Sequence, residues 1–457
     1  MAYKIAFFGD DFTGSTDALE TLEEMGLDTV LFTGIPTKDQ LKTFEDKQAI
    51  GVAGMTRTLP TGEIEKELKA VFDLFSKMEI RHVHYKVCST FDSSPDVGSI
   101  GKAIDIGAET FSAHVVPLIV GAPYLGRFCA FGNLFARMGT GQKGEVFRLD
   151  RHPSMSKHPV TPAKESDLRR HLAQQTGKKI SLVDVTQLEQ SAAEIVSQVD
   201  EKEEKTTVVL FDVMTEQHLE KIGEVLERLS KQHQPLFSVG SSAVSKALCA
   251  SWKKTGELLP RVEWPQLKPA TPLLVLSGSC AVVTGRQIEH ALENGFAEVA
   301  VSGEKLLSGS NEMYIVSIAE KVLHDMQQGK SVIVHTSIGP DDTRVEGTRN
   351  VLTQQGAGGY EINTRTARLY GKALAQIADH VLQSFVLERL VVAGGDTSSL
   401  FAREFGIEAV EMVAPIVPGA PLCRIHAKKA HIHGVTINFK GGQVGDLDYF
   451  LRMENGD

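Results

Sequence analysis

The chain has 457 residues, a length that predicts two domains rather than a single hydrophobic core. A net charge of −10 argues against nucleic acid or an anionic membrane as the main partner, while 42% hydrophobic and 23% charged residues are typical of a soluble globular protein. The five scattered cysteines lack C-x-x-C spacing, and Asp10 and Asp11 interrupt the first apolar run, so we expect a cytoplasmic protein without a secretory signal.

Short apolar runs alternate with longer amphipathic segments through the first part of the chain. The run YKIAFFG predicts a buried first strand, followed by a helix around residues 15–25 and a second strand in DTVLFTG. Further strands at βα spacing are predicted in QAIGVAGM, HVHYKV, HVVPLIVGAP, ISLVDV, TTVVLFDV and LFSVGSS. This alternation is typical of a parallel, doubly wound α/β sheet.

A proline-rich stretch, TGELLPRVEWPQLKPATP, interrupts this pattern and predicts a linker at residues 257–271. The linker separates a domain of residues 1–256 from a domain of residues 272–457. Strands are predicted again in LLVLSGS, AEVAVSG, SVIVHTSIG and RLVVAGGD, followed by an antiparallel strand in HGVTINFKGG. We therefore predict an α/β protein of two domains, each a mostly parallel doubly wound sheet flanked by helices.

Ligands of open α/β sheets bind in the loops that follow the carboxyl ends of the strands. In the first domain these loops are charged: GDDFTG contains Asp10 and Asp11, and later loops contain Arg57, Lys86 and Arg127. Arg57, Lys86 and Arg127 together would suit a carboxylate or a phosphate, because guanidinium groups match planar oxyanions. The alternative is that these aspartates and threonines only cap the helices that follow.

The corresponding loops of the second domain are small, glycine-rich and weakly charged. Their backbone N–H groups, at helix N-termini, are typical of a phosphate site and predict a nucleotide. Neither a G-x-x-x-x-G-K-[ST] loop nor a G-x-G-x-x-G fingerprint is present, which argues against P-loop and dinucleotide folds. The four loops are Ser277–Cys280, Ser337–Pro340, Gly394–Ser398 and Lys440–Gly445.

Two further patterns lie outside these strand-end loops. The basic, proline-punctuated stretch at residues 151–162 predicts a long ordered loop that closes a site or contacts a subunit. The H-x-H pairs His82–His84 and His431–His433 are conceivable metal ligands, but no carboxylate or cysteine accompanies them at ligand spacing. We name no protein ligand for a metal.

Taken together, these motifs make the chain resemble the four-carbon acid sugar kinases over essentially its whole length. The matching stretches include Asp10–Gly14 with Thr16-Asp17 beyond it, Lys86–Ser93, and His158–Leu168, in which Ala163 stands where methionine is usual. Ser-Gly-Ser-Cys at Ser277, Gly-Gly-Asp-Thr-Ser at Gly394 and Lys-x-Gly-x-x-Gly at Lys440 match as well. The Gly-Ser-Thr-Asp form after the aspartate pair is nearest to relatives that act on branched or oxo sugar acids.

The resemblance implies that a small sugar acid binds the N-terminal domain and that ATP, with Mg²⁺, binds the C-terminal domain. The γ-phosphoryl group would pass to a hydroxyl of threonate, erythronate, an oxo-tetronate or 3-oxo-isoapionate, with the active site in the inter-domain cleft. Asp10 and Asp11 are the expected catalytic residues. The expected substrate-binding residues are Asp10, Asp11, Arg57, Lys86, Ser89, Asp92 and Arg127, with Arg57 and Lys86 on the substrate carboxylate. The expected nucleotide-binding residues are Ser277, Ser279, Gly394, Gly395, Asp396, Thr397, Gly441, Gly442 and Gln443.

Two functions of other classes remain as alternatives. One is a non-catalytic protein that binds acidic metabolites, and the other is an NAD-dependent oxidoreductase on similar acids. The first would require a signal peptide and no phosphate loops, and the second a dinucleotide fingerprint. We expect no nucleic acid or membrane partner, and a homodimer is the candidate assembly.

Overall fold

The structure is a computed structural model that describes residues 3–138, 144–158, 160–200, 206–259, 261, 263–309 and 311–457. The chain divides into two compact units, Met1–Val262 and Glu263–Asp457. Pro159 of the HPVTP stretch, and Pro260 and Val262 of the predicted linker, lie outside the described residues. None of the helices in the described parts combines the length and the apolar character that crossing a membrane requires.

The N-terminal unit is built on eight parallel strands in the order β2-β3-β1-β4-β11-β5-β10-β9. Most of these strands are apolar along their whole length because a parallel sheet is covered on both faces. The strands are β1 (Tyr3–Gly9), β2 (Thr29–Phe32), β3 (Ala49–Ala53), β4 (Ile80–Lys86), β5 (Val115–Ile119), β6 (Arg127–Ala130), β7 (Asn133–Arg137), β8 (Val146–Arg148), β9 (Lys179–Val183), β10 (Thr207–Phe211) and β11 (Leu236–Gly240).

The described part of the same unit contains eight α-helices, most of them between successive parallel strands. They are α1 (Phe12–Glu24), α2 (Lys38–Thr43), α3 (Thr61–Ser76), α4 (Ile100–Thr110), α5 (Leu168–Leu172), α6 (Ala192–Val199), α7 (Glu216–Ser230) and α8 (Ala243–Thr255). The three remaining strands form a small antiparallel sheet in the order β6-β7-β8, which the sequence pattern did not predict.

The strands described in the C-terminal unit lie in the order β13-β14-β12-β15-β18-β17-β16. The neighbours in β13-β14-β12-β15-β18 pair in parallel, and the neighbours in β18-β17-β16 pair antiparallel. The strands are β12 (Leu274–Ser277), β13 (Ala297–Ala300), β14 (Val332–His335), β15 (Arg389–Ala393), β16 (Ala409–Val417), β17 (Ala420–His426) and β18 (Thr436–Lys440). The helices are α9 (Val282–Glu293), α10 (Gly303–Leu306), α11 (Asn311–Gln327), α12 (Thr343–Gln354), α13 (Gly359–Ser384), α14 (Gly395–Phe405) and α15 (Tyr449–Asn455).

The predicted α/β class with mostly parallel sheets is confirmed, and every strand predicted from an apolar run is present. The hairpin β16–β17 was not predicted. The stretch at residues 151–162 contains only short 3₁₀ turns in its described part, as expected of a long ordered loop.

Strand register aligns the carboxyl ends of the parallel strands within each unit. In the N-terminal unit, Gly9 is the partner of both Ala53 and Lys86, and Lys86 is the partner of Gly240. In the C-terminal unit one row runs through His335, Ser277, Ala393 and Lys440. The loops that follow these residues therefore leave the same edge of their own sheet, where ligands of such sheets bind.

Candidate functional site

Asp10 and Asp11, directly after β1, share the guanidinium of Arg57. Arg57 Nε and Nη2 donate to the two carboxylate oxygens of Asp10 at 3.1 and 2.7 Å, and Nη1 donates to Asp11 Oδ2 at 2.7 Å. The side chain of Asp10 is 3% exposed, whereas that of Asp11 is 23% exposed. Burial raises the pKa of Asp10, and the neighbouring Arg57 guanidinium opposes that rise. Asp11 is therefore the more accessible carboxylate of the two.

Asp11 also caps helix α1. Its Oδ1 accepts the backbone N–H of Gly14 at 2.7 Å, and its Oδ2 accepts the hydroxyl of Thr13 at 2.9 Å. The capping role that the sequence left open is thus present. The contact with Arg57 is a second role, since a helix cap needs no guanidinium partner.

Lys86, the last residue of β4, completes what we call the aspartate cluster: Asp10, Asp11, Asp17, Arg57 and Lys86. Its Nζ lies 3.0 Å from Asp17 Oδ2, and its side chain is only 2% exposed. Burial acts to lower the pKa of Lys86, but Asp17, Asp10 and Asp11 outweigh it and leave that pKa raised. Three carboxylates thus outnumber two cations, so the cluster is more suited to hydroxyl groups than to another anion.

Arg127, at the start of β6, has no carboxylate within ion-pair distance among the residues that the structure describes. Its Nη1 donates to the backbone carbonyls of Leu125, Gly126 and Arg137 at 2.9 to 3.4 Å, and its buried Nε has no hydrogen-bond partner. Burial lowers the pKa of Arg127, and Cys88 and Asp92 oppose the decrease. Arg127 is therefore a mostly buried cation with hydrogen-bonding capacity left for an anion.

A small pocket, which we call the recess, lies where the loop after β4 meets the HPVTP segment. Its cavity volume is only about 10 Å³, no more than a single water molecule needs. Cys88 Sγ contacts Thr90 Oγ1 on its wall at 2.9 Å, and Ser93 Oγ contacts His171 Nε2 at 3.0 Å. The lining residues are Thr90, Phe91, Asp92, Ser93, Leu149, Thr161, Ala163, Glu165, Leu168 and His171.

Asp92, on the wall of the recess, is an expected substrate-binding residue, and Ser89 is half-buried earlier in the same loop. Thr161, Glu165 and His171 also line the recess, and the sequence-based assignment missed them as site residues. The signal that could have found them was the long loop at residues 151–162 and the motif that continues from it.

Three glycine-rich loops meet in the C-terminal unit because β12, β15 and β18 are neighbours. Ser277 ends β12 and Ser279 follows it, and both are buried; Gly394–Thr397 starts α14, and Gly441–Gln443 follows β18. Asp396 and Gln443 are exposed. Gly394 has a φ of +122°, and a side-chain carbon added at Gly442 would lie 2.7 Å from Ser279 Oγ. These loops thus approach each other closely through glycine.

Lys440, the last residue of β18, is buried next to these loops. Its Nζ donates to Thr284 Oγ1 at 2.9 Å and to the carbonyl of Gly441 at 3.2 Å, and it lies 5.6 Å from the ring centre of Tyr449. No carboxylate pairs with it in the described part of the chain. Burial lowers the pKa of Lys440 to about 7.

This pKa predicts a pH dependence of stability. Between about pH 7 and the ordinary lysine pKa of about 10.4, the unfolded chain binds one proton more than the folded chain, so the free energy of unfolding rises with pH. Below about pH 7 Lys440 is charged in both states, so the free energy of unfolding no longer changes with pH through this group. We expect Lys440→Met to remove the rise, so its stability relative to wild type should fall from about pH 6.5 to about pH 9.5 in thermal unfolding.

The control is Lys330→Met, which removes an exposed ammonium from the same unit. Its difference from wild type should stay constant over the same pH values. A Lys440→Met difference that is equally independent of pH would contradict the titration of this lysine.

The histidines of the two H-x-H pairs contact protein groups. His82 Nε2 contacts Glu227 at 2.7 Å, His84 Nε2 contacts the carbonyl of Gly240 at 3.1 Å, and His431 contacts Asp379 at 2.8 Å. Over the described ranges, no group of three or more histidine, cysteine, aspartate or glutamate residues is arranged to hold a metal ion. The five cysteines form no disulfide bond with each other.

Two family models match the chain. The one described as a sugar-binding N-terminal domain matches residues 5–248, and the one described as a nucleotide-binding C-terminal domain matches residues 274–450. Together they cover most of both compact units.

Named relatives align over nearly the full length. The chain is 39% identical to the 3-oxo-isoapionate kinase of Paraburkholderia graminis, over 99% of this chain and 94% of the relative. It is 26% identical to the 3-oxo-tetronate kinase of Pectobacterium atrosepticum, over 99% of this chain and 98% of that relative. A crystal structure from Salmonella typhimurium LT2 is 25% identical, covers 98% of each chain and superposes with a TM-score of 0.76.

Proposed function

The chain belongs to the four-carbon acid sugar kinase family, and from this premise we propose that it transfers the γ-phosphoryl group of ATP to a hydroxyl of a branched 3-oxo sugar acid. The protein is an enzyme of the sugar-acid kinase class. The relative at 39% identity is a 3-oxo-isoapionate kinase, whereas the 3-oxo-tetronate kinases are 24–27% identical, which favours a branched acid over an unbranched one. The observation that carries the acid substrate class is Arg127, a mostly buried cation with which no carboxylate pairs among the described residues.

We assign the sugar acid to the N-terminal unit and its carboxylate to Arg127. The sequence led us to expect Arg57 and Lys86 in that role, but both already contact aspartates. A substrate carboxylate at either would compete with the side chain of Asp10, Asp11 or Asp17. Arg127 meets no such competition, and a guanidinium can bind a carboxylate through two parallel hydrogen bonds.

The aspartate cluster then receives the hydroxyl end of the substrate. Phosphoryl transfer needs positioning and charge neutralisation rather than covalent help from the protein. We propose that Asp11, the more exposed carboxylate, accepts a hydrogen bond or the proton from the attacking hydroxyl. Asp10 is held by two hydrogen bonds from Arg57 and keeps that guanidinium, and through it Asp11, in place.

The three glycine-rich loops of the C-terminal unit are the proposed ATP site. Backbone N–H groups at the start of α14 suit phosphate oxygens, and Gly394 and Gly442 permit close approach. Mg²⁺ is expected to arrive with ATP, held by phosphate oxygens and water, since the described side chains offer no group of metal ligands. A cytoplasmic location, where ATP is supplied, and a homodimer are parts of the same proposal.

Gly395→Val tests the phosphate site. A side-chain carbon at Gly395 would meet no protein atom within 4 Å, so the variant should fold while it occupies the space proposed for phosphate. Loss of hydrogen bonds to a charged phosphate is worth about 1.5–3 kcal/mol, so the KM for ATP should rise about 10- to 150-fold in a steady-state assay.

Gly359→Val is the matched control. Gly359 is likewise the first residue of a helix, α13, and an added carbon there also meets no atom within 4 Å. Its KM for ATP should equal that of wild type. If both variants bind ATP like wild type, the start of α14 is not the phosphate site.

The experiment that tests the whole proposal is a coupled ADP-release assay over unbranched C4 and branched C5 and C6 sugar acids. We expect the highest kcat/KM for a branched 3-oxo acid. ATP with Mg²⁺ should raise the melting temperature, while NAD and NADP should not. ADP release with none of the acids, or stabilisation by NAD alone, would contradict the proposal and favour a binding protein or an oxidoreductase.

A further inference from the structure

The loop after β18, residues 441–446, has its backbone carbonyls bound from one side. Gln287 Nε2 lies within hydrogen-bond distance of three successive carbonyl oxygens, at 3.1, 3.0 and 2.8 Å from those of Val444, Gly445 and Asp446. An amide NH₂ group has two N–H bonds, so at least one of them is shared between two carbonyls. One side chain of α9 therefore fixes three consecutive peptide groups of the loop.

The start of the same loop is held by Thr284 and Lys440. Thr284 Oγ1 donates to the carbonyl of Gly442 at 2.8 Å and accepts from Lys440 Nζ, which also donates to the carbonyl of Gly441. Thr284 and Gln287 are three residues apart on α9 and therefore share a face of that helix. Thr284, Gln287 and Lys440 are each at most 1% exposed. The buried side of the loop is thus lined by hydrogen-bond donors.

The planar trans peptide group decides where the N–H groups of this loop point. The C=O and N–H bonds of a trans peptide point in opposite directions, and no peptide bond of the loop is cis. Because the carbonyls of Gly441 and Gly442 face the buried donors, the N–H groups of Gly442 and Gln443 point away from them. Neither N–H group donates to any residue that the structure describes. Successive N–H groups presented in this way suit an anion.

The loop lies beside the other glycine-rich loops. The N–H of Gly394, at the start of α14, donates to the carbonyl of Lys440 at 2.9 Å. Gly442 approaches Ser279 of the loop after β12 so closely that a side-chain carbon would not fit between them. The outward N–H groups therefore belong to the same site as the start of α14.

The buried donors are costly to keep. Gln287 Oε1 is buried and has no hydrogen-bond partner within the described ranges, where Lys440 also pairs with no carboxylate. Apolar side chains of similar size are often at least as stabilising as buried polar groups of this kind. This cost indicates that the donors serve the site as well as the fold.

We propose that Gln287 and Thr284 position the loop after β18 so that its N–H groups bind phosphate oxygens of ATP. This inference rests on the proposed function, because it assumes that ATP binds the glycine-rich loops. Both side chains act through the backbone that they hold and have no contact with the nucleotide. They are therefore positioning residues.

Gln287→Met is the first test, since methionine keeps the length of the side chain but removes its donor. The Kd for ATP with Mg²⁺, measured by titration calorimetry without a sugar acid, should rise about 10- to 100-fold, the loss typical when a residue that orients the ligands of a metal is removed. The KM for the sugar acid at saturating ATP should equal that of wild type, because the acid is assigned to the other unit.

Thr284→Val and Thr284→Ser separate the hydroxyl from the shape of the side chain. Valine has the shape of threonine without the hydroxyl, so the Kd for ATP should rise about 2- to 10-fold, the value of one ordinary hydrogen bond. Serine keeps the hydroxyl and should bind ATP like wild type. If Gln287→Met does not fold, this pair of variants decides the inference.

Ser331→Ala is the control in the same unit. Ser331 is buried before β14, at the opposite edge of the sheet, where its Oγ accepts the N–H of Leu273 at 2.7 Å. Loss of this hydroxyl should lower the melting temperature and leave the Kd for ATP at the wild-type value.

Three results would overturn the inference and leave the proposed kinase intact. They are a wild-type Kd for ATP in both Gln287→Met and Thr284→Val, a Kd in Thr284→Ser as high as that in Thr284→Val, and an equal rise in Ser331→Ala. A wild-type protein that binds no ATP overturns the proposed function, and this inference with it.

Discussion

Asp11→Asn is expected to lower kcat for sugar-acid phosphorylation by about 10²- to 10⁴-fold, the usual contribution of a general base. Asparagine cannot accept the proton of the attacking hydroxyl. It keeps a side-chain oxygen for the N–H of Gly14, so helix α1 should lose no more than about 1–2 kcal/mol. The measurement is steady-state kinetics with saturating ATP, together with a melting curve.

Asp10→Asn is the informative partner, because the same chemical change falls on the buried carboxylate. It removes the charge from a nearly buried pair with Arg57, a change that costs up to about 3–5 kcal/mol, so its melting temperature should fall more than that of Asp11→Asn. If Asp11→Asn phosphorylates the acid at the wild-type rate and only melts earlier, Asp11 is a helix cap and nothing more.

Arg127→Met is expected to raise the KM for the sugar acid by about 10- to 150-fold, with kcat little changed. This factor corresponds to the free energy of about 1.5–3 kcal/mol that a hydrogen bond to a charged group contributes. The substrate carboxylate would lose its partner while the hydroxyl end keeps its own. The backbone carbonyls that Arg127 Nη1 contacts would lose that donor, so the melting temperature should also fall slightly.

Arg127→Lys separates charge from geometry. Lysine keeps the positive charge but cannot form two parallel hydrogen bonds, so its KM should lie between those of wild type and Arg127→Met. A purely structural Arg127 would show only the lower melting temperature, with the KM of wild type. That outcome would mean that another residue of the N-terminal unit binds the substrate carboxylate.

The parallel sheets could be predicted because their strands are continuous apolar runs, such as YKIAFFG, buried on both faces. The antiparallel elements could not. RFCA, NLFAR and VFR in β6 to β8 are short and only partly buried, and Pro415 and Pro421 lie within β16 and β17, where proline argues against a strand.

The candidate site was predictable where it depends on position after a strand, and not where it depends on side-chain pairing. Asp10 and Asp11 follow β1 and are found by that rule. That Arg57 would bind both of them, and Lys86 would bind Asp17, depends on register between strands that are far apart in sequence. Thr161 and His171 lie in or beyond a segment without periodicity, so no pattern indicated that they reach the loop after β4.

The guanidinium shared by Asp10 and Asp11 also has a dynamic consequence. Arg57 comes from the loop after β3, so its hydrogen bonds join two βα loops that would otherwise open independently. Opening either loop alone would leave a nearly buried charge without its partner, which is costly. The two loops should therefore exchange their amide hydrogens as one cooperative unit. A substrate must then reach Asp11 without either loop opening on its own.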